Sequence, residues 1–219
     1  MMFSKAKETT LRLLHEDVPA PMREAYNRIR VNLLARVGLG SNRGAEKECP
    51  VIGVTTAAPC AGRRYLAANL AISFEQLGMR TLLIDADYRE AEGLDALLGL
   101  PAQQGGEAPA ADALGLPTQV GETDLFLLSR GGAKGNPADF VGSQLFFSAV
   151  QALRAEYDVI FVSLPPVTAY ADAPTAAPAL SGMVLGTVPG QDTRCAVATA
   201  VEALQTVGLP LYGMIACEE

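Results

Sequence analysis

Histidine is nearly missing from this chain: His15 is the only one, and the four cysteines, Cys49, Cys60, Cys195 and Cys217, are dispersed without a close pair. Metal clusters and disulfide frameworks need such residues at short spacings, so neither organises this protein, and the thiols are read as reduced and cytosolic. Long apolar runs are also absent. None approaches the roughly 20 residues that span a bilayer, and the N-terminus lacks the apolar core of a signal peptide. The expected location is cytoplasmic, with any membrane association peripheral, at the inner face, and made through a partner. No internal repeat or heptad series is present.

Basic residues are scarce where a nucleic acid would need them. Residues 1–47 carry nine Lys or Arg against five Asp or Glu, net +4, while 48–219 carry eight against nineteen, net −11, which together give −7. The acidic body repels a ligand whose binding rests on phosphate neutralisation, so no nucleic-acid partner is expected. The basic arm suits an acidic partner or the inner membrane leaflet. A solvated amphipathic helix with a frayed lead-in explains it equally well.

What the chain does have is apolar material in short pieces. At 219 residues and 49% hydrophobic content it can bury a substantial single core. Apolar runs near 51–55, 81–84, 125–128, 158–162, 182–188 and 211–216 alternate with helical stretches. Such runs suit strands covered on both faces, hence an α/β fold with a mostly parallel sheet flanked by helices. The expected division is a basic helical arm, 1–47, packed on one α/β domain, 48–219. The Ala/Gly/Gln-rich stretch 101–122 reads as a surface excursion, and the segment from Gly135 to Ser143 as the opening of one helix running through Ala155.

Val51-Ile52-Gly53-Val54-Thr55 leads into Ala58-Pro59-Cys60-Ala61-Gly62-Arg63-Arg64-Tyr65, and Leu66 to Ile72 leaves it with helical spacing. This is the frame of a phosphate-binding loop, which wraps backbone N–H groups around phosphates, aided by a Lys and by a Ser or Thr on Mg²⁺. Here the Lys position reads Arg63 and the hydroxyl position Arg64. Arginine keeps the charge but not the compact ammonium, and Arg64 has no oxygen for a metal. Cys60 replaces a loop glycine, where a Cβ obstructs a left-handed or close-approach backbone. On these residues alone an ordinary strand-to-helix turn outweighs a nucleotide site. Two arginines at a helix start still favour an anion.

Thr81 to Asp85 reads as a short strand ending in carboxylates, with Asp85 and Asp87 spaced to share one side. The alternative is a solvated strand end without function. A third strand, Tyr157 to Ser163, runs into Leu164-Pro165-Pro166, and Asp172-Ala173 follows.

The order of these motifs resembles the bacterial tyrosine kinase family of capsular and exopolysaccharide assembly, a branch of the P-loop ATPases related to MinD and ParA. The resemblance runs from about Glu24 to Cys217. Glu24-Ala25-Tyr26-Asn27-Arg28-Ile29-Arg30 is similar to the family's Glu-Ala-Tyr-Arg-x-x-Arg helix, and Ala57 to Tyr65 matches Ala-x-Pro-Gly-Glu-Gly-Lys-Ser-Thr in position. Leu83 to Arg89 resembles Leu-Ile-Asp-x-Asp-x-Arg, Asn136-Pro137-Ala138-Asp139 resembles Asn-Pro-x-Glu, and Ser163-Leu164-Pro165-Pro166 stands where the family has Asp-Thr-Pro-Pro.

That resemblance implies a P-loop fold, ATP or ADP with Mg²⁺, and catalytic positions at Asp85 and Asp87. Cofactor-binding positions would be Cys60, Ala61, Gly62, Arg63, Arg64 and Tyr65, with Ser163 at the second Walker carboxylate and Cys217 at the adenine-reading Asn. Glu24, Asn27 and Arg30 would form the subunit contact. Since Arg63, Arg64 and Ser163 replace the Lys, hydroxyl and carboxylate, the expectation is a catalytically impaired accessory or regulatory component. Any nucleotide binding would be weak and indifferent to Mg²⁺, and no metal site is assigned. Asn27 cannot make the bidentate contacts of Arg, so self-association is expected to be weak or absent. Implied partners are a membrane-embedded chain-length regulator and an active kinase paralogue. The alternatives are an active ATP-dependent tyrosine kinase, with Arg63 in place of Lys and Mg²⁺ on Asp85 and Asp87, and a MinD/ParA-like positioning ATPase.

Overall fold

The computed structural model describes residues 12–39, 48–101, 115–130 and 136–217. Among them, seven strands make one sheet: β1 (Val51–Thr56), β2 (Thr81–Asp85), β3 (Thr118–Gln119), β4 (Leu125–Leu128), β5 (Val159–Ser163), β6 (Gly182–Thr187) and β7 (Leu211–Ala216). Their order is β3-β4-β2-β5-β1-β6-β7, all parallel except the β3–β4 pair. The six apolar runs are thus all strands. The two-residue β3 falls inside the 101–122 stretch, too short to leave a periodic signal, and most of that stretch, 102–114, lies outside the described residues.

Both faces of the sheet are covered, which is why β1, β2 and β5 are buried from end to end rather than in alternation. Val51, Leu82, Ile84, Ile160 and Val162 belong to the core layer under α5 (Gln144–Leu153) and α7 (Arg194–Thr206). Ile52, Val54, Leu83, Val159 and Phe161 belong to the layer under α2 (Gly62–Glu75). That helix is buried along nearly its whole length. Its Ala67, Ala68 and Ala71 allow close approach to the sheet, and Phe74 meets Phe161 edge-on at 5.1 Å between ring centroids.

The N-terminal residues 12–18 strap across α2. Asn69, buried on that helix, accepts from the Leu14 amide and donates to the Arg12 carbonyl, both at 2.8 Å. Leu13, Leu14 and Val18 fill the same core layer. The following helix, α1 (Ala20–Arg36), buries only Leu33 fully and is tied to α2 by Arg30, which donates to the Ser73 carbonyl at 2.5 Å. The rest of the arm, 1–11 and 40–47, lies outside the described residues.

The single helix expected through Ala155 is two. α4 (Pro137–Val141) is capped by Asn136 and α5 by Ser143, whose hydroxyl accepts from the Phe146 amide. Two cap residues in one apolar stretch start two helices because each side-chain oxygen satisfies a free amide. At the break stands Gly142, where a Cβ would run into Thr175 of the short helix α6 (Asp172–Thr175).

Candidate functional site

In a parallel sheet the strand order brings the carboxyl ends of β1, β2 and β5 side by side, which is where such folds hold ligands. Ser163 pairs in register with Val54 on one side and Asp85 on the other. The loop after β1 is pinned by the protein itself: the Ala57 amide donates to the Gly186 carbonyl at 3.0 Å and the Thr168 hydroxyl to the Ala57 carbonyl at 2.6 Å. No described non-glycine residue has a positive φ, so Cys60 sits in the loop without the strain its Cβ was expected to bring.

Arg63 lies in the first turn of α2, only 2% exposed. Its guanidinium reaches the Asp87 carboxylate in a buried ion pair and Glu90 at 2.7 Å. Arg64 points outward, its guanidinium donating to the Glu92 carbonyl at 3.2 Å and lying 3.6 Å from the same residue's carboxylate. The cationic pair expected to attract an anion is therefore occupied by this chain's own acids.

The two aspartates do not act as one face. Asp85 ends β2 and accepts from the amides of Leu94, which opens the short helix α3 (Leu94–Leu97), at 2.8 Å, and of Asp87, at 3.2 Å. Burial pushes its carboxyl up to about 6, against the opposing pull of those amides and of Arg130. Asp87 turns instead to Arg63. Both are 3% exposed or less, so a solvated strand end is ruled out. Ser163 is wholly buried and its hydroxyl has no hydrogen-bond partner.

Several participants were missed from sequence. Arg130, just past β4, donates to the carbonyls of Asp87 (2.7 Å), Glu90 (2.5 Å) and Ala91 (2.9 Å), holding the loop after β2 in place. Its position at the carboxyl end of a neighbouring parallel strand was the available signal. Arg89 pairs with the buried Asp172 at 3.1 Å, approaches Asn136 at 3.3 Å and lies over the Tyr170 ring, joining the Asn136-Pro137 element to the same loop. Glu90 carried no motif of its own.

Cys217 directly follows β7 on the other flank of α2. A Cβ on Gly186 would come within 3.0 Å of its sulfur and 2.8 Å of Thr56, so only glycine lets β6 pass between them. Burial raises the Cys217 thiol to about 12 and raises that of Cys60 as well. Of the subunit-contact residues, Glu24 is exposed and paired with Arg28 at 3.2 Å, whereas Arg30 and Asn27 bond to each other at 3.1 Å. Among the described residues no cluster of His, Cys, Asp and Glu could hold a metal, and no helix is long and apolar enough to cross a membrane.

Strand order, loop and helix together define a P-loop α/β domain of the MinD type. The fold matches MinD of Pyrococcus horikoshii in complex with Mg-ADP at a TM-score of 0.60, with 18% identity over 77% of this chain and 70% of that one. It matches the kinase domain of the Escherichia coli tyrosine kinase ETK at 0.79, with 21% identity over 99% and 84%. In sequence, the Bacillus subtilis tyrosine-protein kinase YwqD is 30% identical over 197 residues, 88% of this chain and 79% of that protein. This chain belongs to the bacterial tyrosine kinase family. No family model matches it.

Proposed function

We propose that this protein is a catalytically silent member of its family, an accessory or regulatory component of capsular or exopolysaccharide assembly. The observation that carries the reading is the buried ion pair between Arg63 and Asp87. Phosphoryl transfer relies on positioned cations at the transferred group. In this chain the cation at the Lys position is paired with the acids that a metal would otherwise draw on. The residues present do not fit a magnesium-bound triphosphate: Arg64 offers no oxygen, Ser163 offers a hydroxyl in place of a carboxylate, and Asp85 is buried among amide donors. Losing one preorganised electrostatic group costs about 3–4 kcal/mol of barrier, and several are replaced at once.

On this reading any nucleotide binds weakly and without help from Mg²⁺. The protein works in the cytoplasm beside a membrane-embedded chain-length regulator or an active paralogue, joining it through α1, where Glu24 is exposed. Self-assembly is weak because Asn27 and Arg30 are engaged within the chain. The runner-up is an active kinase, which the names of its relatives favour. Purified protein is expected to show neither Mg²⁺-dependent ATP hydrolysis nor tyrosine autophosphorylation above background. Turnover that disappears in Asp85→Ala overturns the proposal in favour of the runner-up.

A further inference from the structure

The six tyrosines all fall within the described residues, and five of them are withdrawn from solvent or already engaged. Tyr157 is buried, the Tyr88 hydroxyl is sealed from water, and the Tyr212 hydroxyl donates to the Ser181 carbonyl at 2.7 Å. Tyr26 and Tyr65 are half-buried against the core layer under α2. Tyr170 alone is exposed, at 38%. It lies in the loop between β5 and α6, where Thr168 to Ala171 are all exposed and the neighbouring Ala169 and Ala171 put no bulk beside the ring. The loop is nevertheless fixed in place. The amides of Val167 and Thr168 donate to the carbonyls of Thr56 and Ala57 at 3.0 and 3.2 Å, and the Tyr170 amide to the Pro166 carbonyl at 3.0 Å.

Above the Tyr170 ring stands the Arg89 guanidinium, 4.7 Å from the centroid. Its Nε and one terminal nitrogen, Nη2, donate to the buried Asp172 at 3.4 and 3.1 Å, which fixes the plane of the group. The other terminal nitrogen, Nη1, donates to none of the described residues. A phosphate on the Tyr170 oxygen would bring three acceptor oxygens and a charge of about −1.5 to −2 beside this cation. Guanidinium groups hold such dianions through charge-assisted N–H donors. The contact that the phosphate competes with is the exposed one to Asn136, at 3.3 Å, so the buried pair with Asp172 survives.

We infer that Tyr170 is the position at which this chain accepts a phosphoryl group from an active tyrosine kinase, and that Arg89 holds the phosphate once it is formed. The inference rests on the reading of this chain as the accessory of such a kinase. The Tyr170 oxygen attacks the γ-phosphorus of ATP bound in the kinase. The bond from that phosphorus to the β,γ-bridging oxygen breaks, ADP leaves, and the phenolic proton passes to water.

The test incubates the full chain with the Escherichia coli ETK kinase domain and Mg-ATP and locates phosphate by mass spectrometry. Tyr170 is expected to carry it, and Tyr170→Phe, which keeps the ring under Arg89, is expected to abolish incorporation. Absence of incorporation, or incorporation undiminished in Tyr170→Phe, overturns the acceptor site. A second arm titrates the phosphorylated chain by phosphorus NMR. Arg89 favours the dianion, so the second ionisation is expected below its ordinary pKa of about 6. It should return towards that value in the double variant Arg89→Gln/Asp172→Asn, which leaves no buried charge unpaired. An ordinary value in the parent chain, or an unchanged one in the well-folded double variant, overturns the role of Arg89. A third arm omits ETK: phosphate that appears on the chain alone and is lost in Asp85→Ala refutes catalytic silence, whereas the acceptor site is judged only by the arm with ETK.

Discussion

On the β2 side of the α2 N-terminus, charged side chains close the space: Arg63, Asp87, Glu90 and Arg130 bind one another or backbone. On the α1 and β7 side, apolar side chains leave about 640 Å³ open. The contrast follows from the physics of burial. A buried charge without a partner is so unfavourable that oppositely charged neighbours collapse together. Apolar walls need only to be kept from water, and a cavity between them persists if its frame is stiff. Here the frame is α1, held by Arg30 on Ser73, and the strap held by Asn69.

The largest expected effect tests the charged side. Arg63→Met leaves the Asp87 carboxylate buried without its cation, with only the Arg89 amide donating to it, and should lower stability by about 3–5 kcal/mol in urea unfolding. Adding Asp87→Leu should recover much of that loss. A single variant as stable as the parent would mean that this end of the cleft is no more held together than the open end.

Asp85 sharpens the same side through pH. Its folded-state value of about 6 stands above the ordinary 3.8, so the stability due to the neutral carboxyl is fully present below the unfolded value. It is lost as pH rises through the folded one. The contribution amounts to as much as about 3 kcal/mol. Comparing unfolding midpoints of the parent and Asp85→Asn across that range isolates it, and identical pH slopes would refute it.

On the open side, Asn69→Ala removes the clamp on residues 12–18 and should cost about 1–3 kcal/mol. Faster limited proteolysis near Arg12 is the accompanying sign; unchanged cleavage would show that the apolar contacts of Leu13 and Leu14 suffice. The smallest effect is Ser163→Ala. Its buried hydroxyl has no partner, so removing it should leave thermal unfolding unchanged or raise stability by up to about 1 kcal/mol. A clear loss would reveal a buried water in the charged side.

Much of the site was legible in sequence because its frame is local. Gly62, Arg63 and Arg64 stand in a contiguous loop, and the apolar run before Asp85 places that residue at a strand end. What each charge does was not legible. Arg63 and Asp87 are 24 positions apart and Arg89 and Asp172 are 83 apart, and no local spacing indicates which acid a given guanidinium will meet. The Asn136 to Ala155 stretch shows another failing: it was read as one helix, and only the structure shows that Asn136 and Ser143 each cap a separate helix on either side of Gly142.

The sequence by itself determined the layering: unbroken apolar runs can be hidden only between two layers of helices, so they require a parallel sheet covered on both faces. It also determined which residues stand at the carboxyl edge, since strand ends and loop positions follow from local patterning. Only the tertiary structure decided that the arginine at the Lys position is neutralised and not free, that Asp85 and Asp87 part company, and that a cavity stays open beside Tyr26. Each depends on distances between segments remote in the chain, set by how α1, α2 and the strand ends pack against one another.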